Sequence, residues 1–123
     1  MFKTVVIDPP WKKSTGGIGN KTLQCSTHYA VQTRQEIIQT IDYWFQKYQV
    51  APEAHMYMWA INSFTAGADQ GIFPAVNVVE ELGFKPVSLI PWIKNNVGSP
   101  TPYGMRYTEM CIFAVRYDKG KGK

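Results

Sequence analysis

Apolar residues occur along the 123-residue chain both as short β-branched runs and as repeats with helical spacing. The first run, Thr4 to Ile7, is followed directly by Asp8, Pro9 and Pro10. β-Branched residues favour strands, but a central strand cannot continue through two prolines because proline has no N–H for the ladder. We therefore predict a buried parallel strand at residues 4–7 that ends at Asp8.

Residues 12–29 separate this strand from the first helical pattern. They hold three glycines among lysine, serine, threonine and asparagine residues and show no apolar period. This composition predicts a mobile surface loop. Loops of this length in compact domains commonly carry function.

The first helix is predicted by Thr33 and Glu36, which have the spacing of a capping box. The apolar residues that follow recur at helical intervals on one face; they are Ile37, Ile38, Ile41, Trp44, Phe45 and Tyr48. A helix of about four turns fits this pattern.

A second strand and a second helix come next. An apolar run predicts the strand at residues 55–61. Pro74 suits the first turn of a helix and Gly83 suits the position just after its end; the apolar positions between them are Val76, Val79 and Leu82. The predicted order is thus strand, helix, strand, helix.

The last third of the chain is predicted to hold two further strands, at residues 87–94 and 109–117. Pro91 removes one donor from the first of them, which indicates a bulge or a partly unpaired edge. The connection at 95–107 is a Gly/Pro-rich loop, and its shortness favours antiparallel pairing of the two strands. Residues 118–123 form a charged tail that is expected to be disordered.

Together these elements predict an α/β sheet with helices on both faces. The ligand crevice of such a sheet lies beyond the carboxyl ends of its strands, where Asp8 falls. The length and the 45% hydrophobic content allow one core, so a single domain is expected at residues 1–117.

Charge and cysteine content narrow the class of protein only slightly. The net charge of +4 favours polyanionic partners without requiring them. Cys25 and Cys111 lie in no CxxC or CxxH arrangement, so no metal site is expected. No leader and no apolar run of about 20 residues is visible, so we expect a cytoplasmic protein with no membrane association, in a prokaryotic or phage-infected host cell.

The sequence Asp8-Pro9-Pro10-Trp11 has the residue types needed to activate an aromatic amine. The nitrogen lone pair of such an amine is delocalised into the ring, which makes it a poor nucleophile. A carboxylate and a backbone carbonyl that accept its two N–H bonds direct the lone pair toward a methyl donor. Asp8 and the carbonyl of Pro9 suit these two roles, and Trp11 offers a face on which an extracted base stacks. A simple strand stop with a core tryptophan is the alternative interpretation.

Several further segments accompany this motif in a fixed order, namely His28-Tyr29, Tyr57-Met58-Trp59-Ala60-Ile61-Asn62, Leu82-Gly83-Phe84-Lys85, Pro91-Trp92-Ile93-Lys94 and Arg106…Glu109…Ala114-Val115-Arg116. With this combination, the chain from Thr4 to Arg116 resembles the adenine-N6 methyltransferase family. That family includes the catalytic subunit of the eukaryotic messenger-RNA adenosine methyltransferase and many bacterial and phage relatives.

The resemblance implies a Rossmann-like methyltransferase fold in permuted order, with the catalytic half of the sheet first, and S-adenosylmethionine (SAM) as cofactor. Relatives continue past the equivalent of Arg116 through a segment that helps to hold SAM. We therefore expect a fold that is incomplete at the C-terminus: either the chain is a fragment, or another chain completes the site, or the protein has lost robust cofactor binding.

The resemblance also suggests roles for residues outside the motif. Glu109 is expected to organise the active-site loop or the cofactor, and Lys94 to approach a phosphate or the cofactor carboxylate or else to be solvated. His28 and Tyr29 are expected either to contact the base or to anchor the first loop.

Two other candidates lie at the ends of predicted elements. Asn62 either hydrogen-bonds the substrate or caps its strand, and Arg106, at the end of the second loop, is a substrate-binding candidate. Lys12, Lys13 and Lys21 are candidates for contacts with a nucleic-acid backbone.

The sequence thus predicts methylation of the adenine amino group in DNA or RNA, with Asp8, Pro9, Pro10 and Trp11 as catalytic residues. A cytosine-N4 methyltransferase is one alternative, because the same acceptors serve any ring-attached amine. A non-catalytic or partner-completed nucleic-acid-binding subunit is another. Without the segment that relatives have after Arg116, the strand at residues 4–7 is expected to become an exposed apolar edge that pairs with another chain, so a homo- or hetero-oligomer is expected.

Overall fold

The computed structural model describes residues 1–11, 31–64, 71–94, 99–101, 104–106 and 108–117. Within these ranges, the elements follow in the order β1 (Phe2–Ile7), α1 (Arg34–Tyr48), β2 (Val50–Ala60), α2 (Ile72–Glu81), β3 (Lys85–Ile93), β4 (Ser99–Thr101), β5 (Gly104–Arg106) and β6 (Thr108–Arg116). The predicted disordered tail at 118–123 lies outside the described residues.

Four of the strands form one mixed sheet in the order β1-β2-β6-β3. β1 runs parallel to β2, with Val5 opposite Met56. β6 is antiparallel to both of its neighbours, β2 and β3. The predicted parallel start and the predicted antiparallel pairing of the last two long strands are both confirmed.

Both helices pack on the same face of this sheet, so the prediction of helices on both faces is wrong for the described residues. Ile37 of α1 and Val78 of α2 belong to one buried cluster with Met56, Met58 and Ile112 of the sheet. The physical reason is the strand order. Each helix connects strands that run in the same direction, and both crossovers proceed toward β3, so right-handed connections place both helices on one side.

The other face of the sheet carries an aromatic cluster. The rings of His55 and Phe113 lie 5.3 Å apart between centroids, and those of Tyr57 and Phe113 lie 5.2 Å apart. Because successive side chains of a strand point to opposite faces, this cluster lies opposite the helices. We call this side the aromatic face.

β1 is less buried than predicted. Thr4 and Val6 are exposed, whereas Val5 and Ile7 are half-buried and pack against the core. The strand lies at one end of the sheet order, and only one of its faces is covered by a helix. Half-burial is the result expected for such a position.

α1 begins as the capping box predicts. The Thr33 hydroxyl accepts the N–H of Glu36 at 3.3 Å, and the Glu36 carboxylate accepts the N–H of Thr33 at 3.0 Å. Ile41 is buried, but Trp44 and Tyr48 are 42% and 51% exposed. The predicted apolar face is therefore only partly covered, because the C-terminal half of α1 lies beside the edge strand β1.

α2 starts at Ile72, two residues before the predicted Pro74, and ends as predicted. Gly83 has a φ of +87°, a left-handed conformation that glycine adopts without strain. The N–H of Phe84 then donates to the carbonyl of Val79 at 3.1 Å, which closes the helix and turns the chain into β3.

The segment at 95–107 was predicted as a loop, but it contains the short antiparallel pair β4 and β5. Pro91 was predicted to mark either a bulge or a partly unpaired edge. β3 lies at one end of the strand order among the described residues, which agrees with the edge. The irregularity in pairing lies elsewhere, between Pro86 and Ser88, while Pro91 keeps its register opposite Met110.

Candidate active site

A cavity of about 470 Å³ opens at the carboxyl ends of β1, β2 and β3. Its lining residues come from three strands, β2, β3 and β6, from the residue after β2 and from the turn after β1; they are Asp8, Pro9, Trp11, Trp59, Ala60, Ile61, Trp92 and Glu109. Ligand sites of proteins have volumes in this range. The predicted position of the crevice at this edge of the sheet is confirmed.

The backbone after β1 forms a tight turn. The N–H of Trp11 donates to the carbonyl of Pro9 at 2.9 Å, and the N–H of Gln32 donates to the carbonyl of Pro10 at 3.0 Å. The Pro9 carbonyl thus already accepts one hydrogen bond, which the sequence did not indicate. A carbonyl oxygen has two lone pairs, so Pro9 retains the capacity to accept a second donor.

Trp11 is fixed by its own side chain. Its indole N–H donates to the backbone carbonyl of Trp59 at 2.9 Å, and only 5% of the residue is exposed. The bond joins the turn after β1 to the end of β2. The predicted contact between Trp11 and a base stays a prediction.

Asp8 is exposed at the cavity, next to the buried Pro9. Partial desolvation by the cavity wall raises the pKa of the Asp8 carboxyl above its ordinary value, and the nearby negative charge of Glu109 raises it further. Both effects disfavour the charged form. A hydrogen-bond donor or a cation bound next to Asp8 would offset both effects and stabilise its charged form.

Lys94 and Glu109 form an ion pair at the same cavity, with 2.8 Å between Nζ and Oε1. Lys94 follows β3 directly and Glu109 lies opposite Trp92 in β6. The Lys94 side chain is 22% exposed within this ion pair, and its contact with a phosphate or the cofactor stays a prediction. The site combines two carboxylates with one ammonium group.

Asn62 lies just beyond β2, and its side-chain amide donates to the hydroxyl of Thr108 at the start of β6. This bond connects the ends of two neighbouring strands beside the cavity. A contact between Asn62 and substrate stays a prediction.

The remaining candidates are not placed by the structure. His28, Tyr29, Lys12, Lys13 and Lys21 lie outside the described residues. Arg106 ends β5, and its side chain is likewise outside what is described.

Sequence reasoning missed the role of Trp92 in lining the cavity. Its ring meets that of Trp59 edge-to-face, with 6.0 Å between centroids and 70° between planes. The spacing of Trp92 and Lys94 was the available signal, because residues two apart in a strand share a face.

The described residues contain neither a metal-binding cluster nor a helix that could span a membrane. No cluster of three or more histidine, cysteine, aspartate or glutamate side chains in these ranges is arranged to hold a metal ion. None of the helices there is both long and apolar enough to cross a membrane.

No family model and no curated protein matches the chain. Among solved structures, the fold is similar to that in the crystal structure of the M1.HpyAVI–SAM complex, with a TM-score of 0.53 and 19% sequence identity. The match covers 95% of this chain and 45% of that one, so the chain spans about half the length of M1.HpyAVI. The predicted α/β fold is thereby confirmed as one that this chain shares with M1.HpyAVI.

Proposed function

We propose that the chain binds SAM and transfers its methyl group to the exocyclic amino group of adenine in DNA or RNA. The observation that carries this proposal is the position of Asp8. Its carboxylate opens into the cavity at the carboxyl end of β1, directly before Pro9, in a fold shared with M1.HpyAVI, which was solved as a complex with SAM.

Asp8 and Pro9 would prepare the amine for reaction. The carboxylate accepts one N–H of the amino group and the second lone pair of the Pro9 carbonyl accepts the other. With both protons held, the nitrogen lone pair points away from the ring plane. Asp8 or water takes the proton that the amine loses when the N–C bond forms and the S–C bond breaks.

The charges at the cavity fit the cofactor. SAM carries a sulfonium cation, whose methyl group is the electrophile it supplies, together with an amino-acid zwitterion. Asp8 and Glu109 provide negative charge for the cationic groups, and Lys94 provides positive charge for the carboxylate. Because Lys94 and Glu109 already form an ion pair, the pair is held ready at the wall of the cavity.

The nature of the acceptor base rests on the resemblance in sequence. The segments that accompany Asp8-Pro9-Pro10-Trp11 are those of adenine-N6 methyltransferases, and the net charge of +4 suits a nucleic-acid partner. His28, Tyr29, Asn62 and Arg106 remain the proposed substrate contacts. A partner chain or a second copy is proposed to complete the assembly.

The proposal is tested with tritiated methyl-SAM and oligonucleotides of DNA and RNA, each made with adenine or cytosine as the only base that has a methylatable amine. Nucleosides from the digested product should carry the label as N6-methyladenine, and the Asp8→Ala protein should give none. Label on cytosine instead would show that cytosine, and not adenine, is the acceptor. Tight binding of SAM without transfer to any oligonucleotide would contradict the proposal.

A further inference from the structure

Three tryptophans line the cavity, and they differ in the ring surface they present. Trp11 is 5% exposed and Trp92 is 57% exposed, while Trp59 is half-buried. A base that stacks on an indole covers one whole face of the ring, so that face must be open to the solvent before binding. Trp92, with more than half of its surface exposed, has ring surface to offer a base, whereas Trp11 has almost none.

Trp92 is also held in place. It lies in β3 opposite Glu109 of β6, so its backbone is fixed by the strand ladder. Its ring and that of Trp59 meet edge-to-face at 6.0 Å, an arrangement that aromatic pairs favour. A side chain that is ordered before binding loses less conformational entropy when the ligand arrives.

Trp11 has a structural role in place of a base contact. Its indole N–H donates to the Trp59 carbonyl, and the side chain is part of the hydrophobic core. It therefore acts through Trp59, as a positioning residue for the end of β2, while Trp59 in turn supports Trp92.

We propose that Trp92 is the residue on which the target adenine stacks, and that Trp11 positions the wall behind it. The inference rests on the proposed function, because Asp8 supplies the acceptor for the amine of the same base. Stacking of a base on an aromatic side chain is sequence-tolerant. Trp92 would thus hold the base in the cavity, and the acceptors at Asp8 and Pro9 would select its amino group.

The test compares the unsubstituted chain with Trp92→Leu and Trp92→Phe. Leucine keeps an apolar side chain without a π-face, and phenylalanine keeps a smaller face. The matched control is Trp44→Leu, since Trp44 is 42% exposed but belongs to α1 and does not line the cavity. Affinity for a single-stranded adenine oligonucleotide, fluorescence of 2-aminopurine placed in it, and SAM affinity are measured for each protein.

Trp92→Leu should weaken oligonucleotide binding by about 5- to 150-fold, the range that one base stack represents. It should also abolish the quenching of 2-aminopurine while leaving SAM affinity within about twofold. Trp92→Phe should retain part of the quenching, and Trp44→Leu should behave as the unsubstituted chain does.

Two results would overturn the inference while leaving the proposed function intact. The first is a folded Trp92→Leu protein that binds and quenches like the unsubstituted chain. The second is an equal loss in Trp44→Leu, which would mean that exposed aromatic surface in general binds the strand. If the unsubstituted chain binds neither SAM nor oligonucleotide, the proposed function fails and the inference fails with it.

Discussion

The indole N–H of Trp11 and the backbone carbonyl of Trp59 are joined by a hydrogen bond of 2.9 Å that connects the turn after β1 to the end of β2. These two strands are parallel neighbours, and their carboxyl ends form one side of the cavity. The bond therefore ties the turn that carries Asp8 to the strand that carries Trp59. It also explains why the fourth residue of the motif is buried although it follows an exposed aspartate.

Trp11→Phe should destabilise the fold by about 1–3 kcal/mol, because the Trp59 carbonyl loses its donor. Urea denaturation followed by circular dichroism gives the change in the free energy of unfolding. The control is Trp92→Phe, whose exposed ring takes part in no such bond with the described residues and whose effect should stay within about 0.5 kcal/mol. Equal stability of the two variants would remove the structural role assigned to Trp11.

Asp8→Ala should abolish methyl transfer with the secondary structure unchanged, since Asp8 follows its strand and lies at the cavity. A tritiated-methyl assay and circular dichroism measure the two properties. Retention of more than a small fraction of the activity would refute the acceptor role.

Asp8→Asn should leave the stability at neutral pH unchanged or raise it. The pKa of Asp8 is higher in the folded state than in the unfolded state, so protonation of Asp8 stabilises the folded state. This stabilisation is complete at pH values below the unfolded-state pKa. It is lost as the pH rises through the folded-state pKa. At neutral pH the charged carboxylate is therefore unfavourable, and the neutral amide removes that disadvantage. A lower urea midpoint for Asp8→Asn at pH 7 would be the opposite of this result.

Glu109→Gln should lower the pKa of Asp8, because it removes one of the two causes that raise it. Lys94→Met should act in the opposite sense, since it removes the cation paired with Glu109 and leaves that carboxylate uncompensated. Carbon-detected NMR titration of the Asp8 carboxyl in each protein measures both shifts. A shift of the same sign in the two variants would show that the ion pair does not control the charge on Asp8.

The sequence was sufficient to predict the elements whose signals are local. The capping box at Thr33 and the glycine at position 83 each depend on a few neighbouring residues, and both were predicted correctly. The position of Asp8 beside a crevice followed from a strand stop and from the general location of ligand sites in α/β sheets.

The features that the sequence did not predict depend on strand order and on contacts between distant residues. The pairing of β6 between β2 and β3 places both helices on one face, and no periodicity in either helix carries that information. The bond from Trp11 to Trp59 and the meeting of Trp59 with Trp92 likewise join residues far apart in sequence. Alternation within β2 and β3 indicated which residues share a face, but not which strands are neighbours.

The exposed edge of β1 favours association of the chain with a second copy of itself. Within the described residues β1 has β2 as its neighbour on one side only, and Val6 in it is 69% exposed. An apolar groove of about 400 Å³ runs beside it, bounded by Trp44 and Tyr48 of α1. An unprotected edge next to apolar surface favours pairing with a strand from another copy.

We expect the chain to self-associate in a concentration-dependent way, and Val6→Lys to reduce this association, because a lysine in an edge strand must be desolvated when a second strand pairs there. Sedimentation velocity over a range of concentrations measures the effect. Tyr43→Lys is the matched control, since Tyr43 is 58% exposed on α1 and does not line the groove; it adds the same charge and should leave association unchanged. A monomer at every concentration, or an equal effect of the two lysines, would show that the edge of β1 is not the site of association.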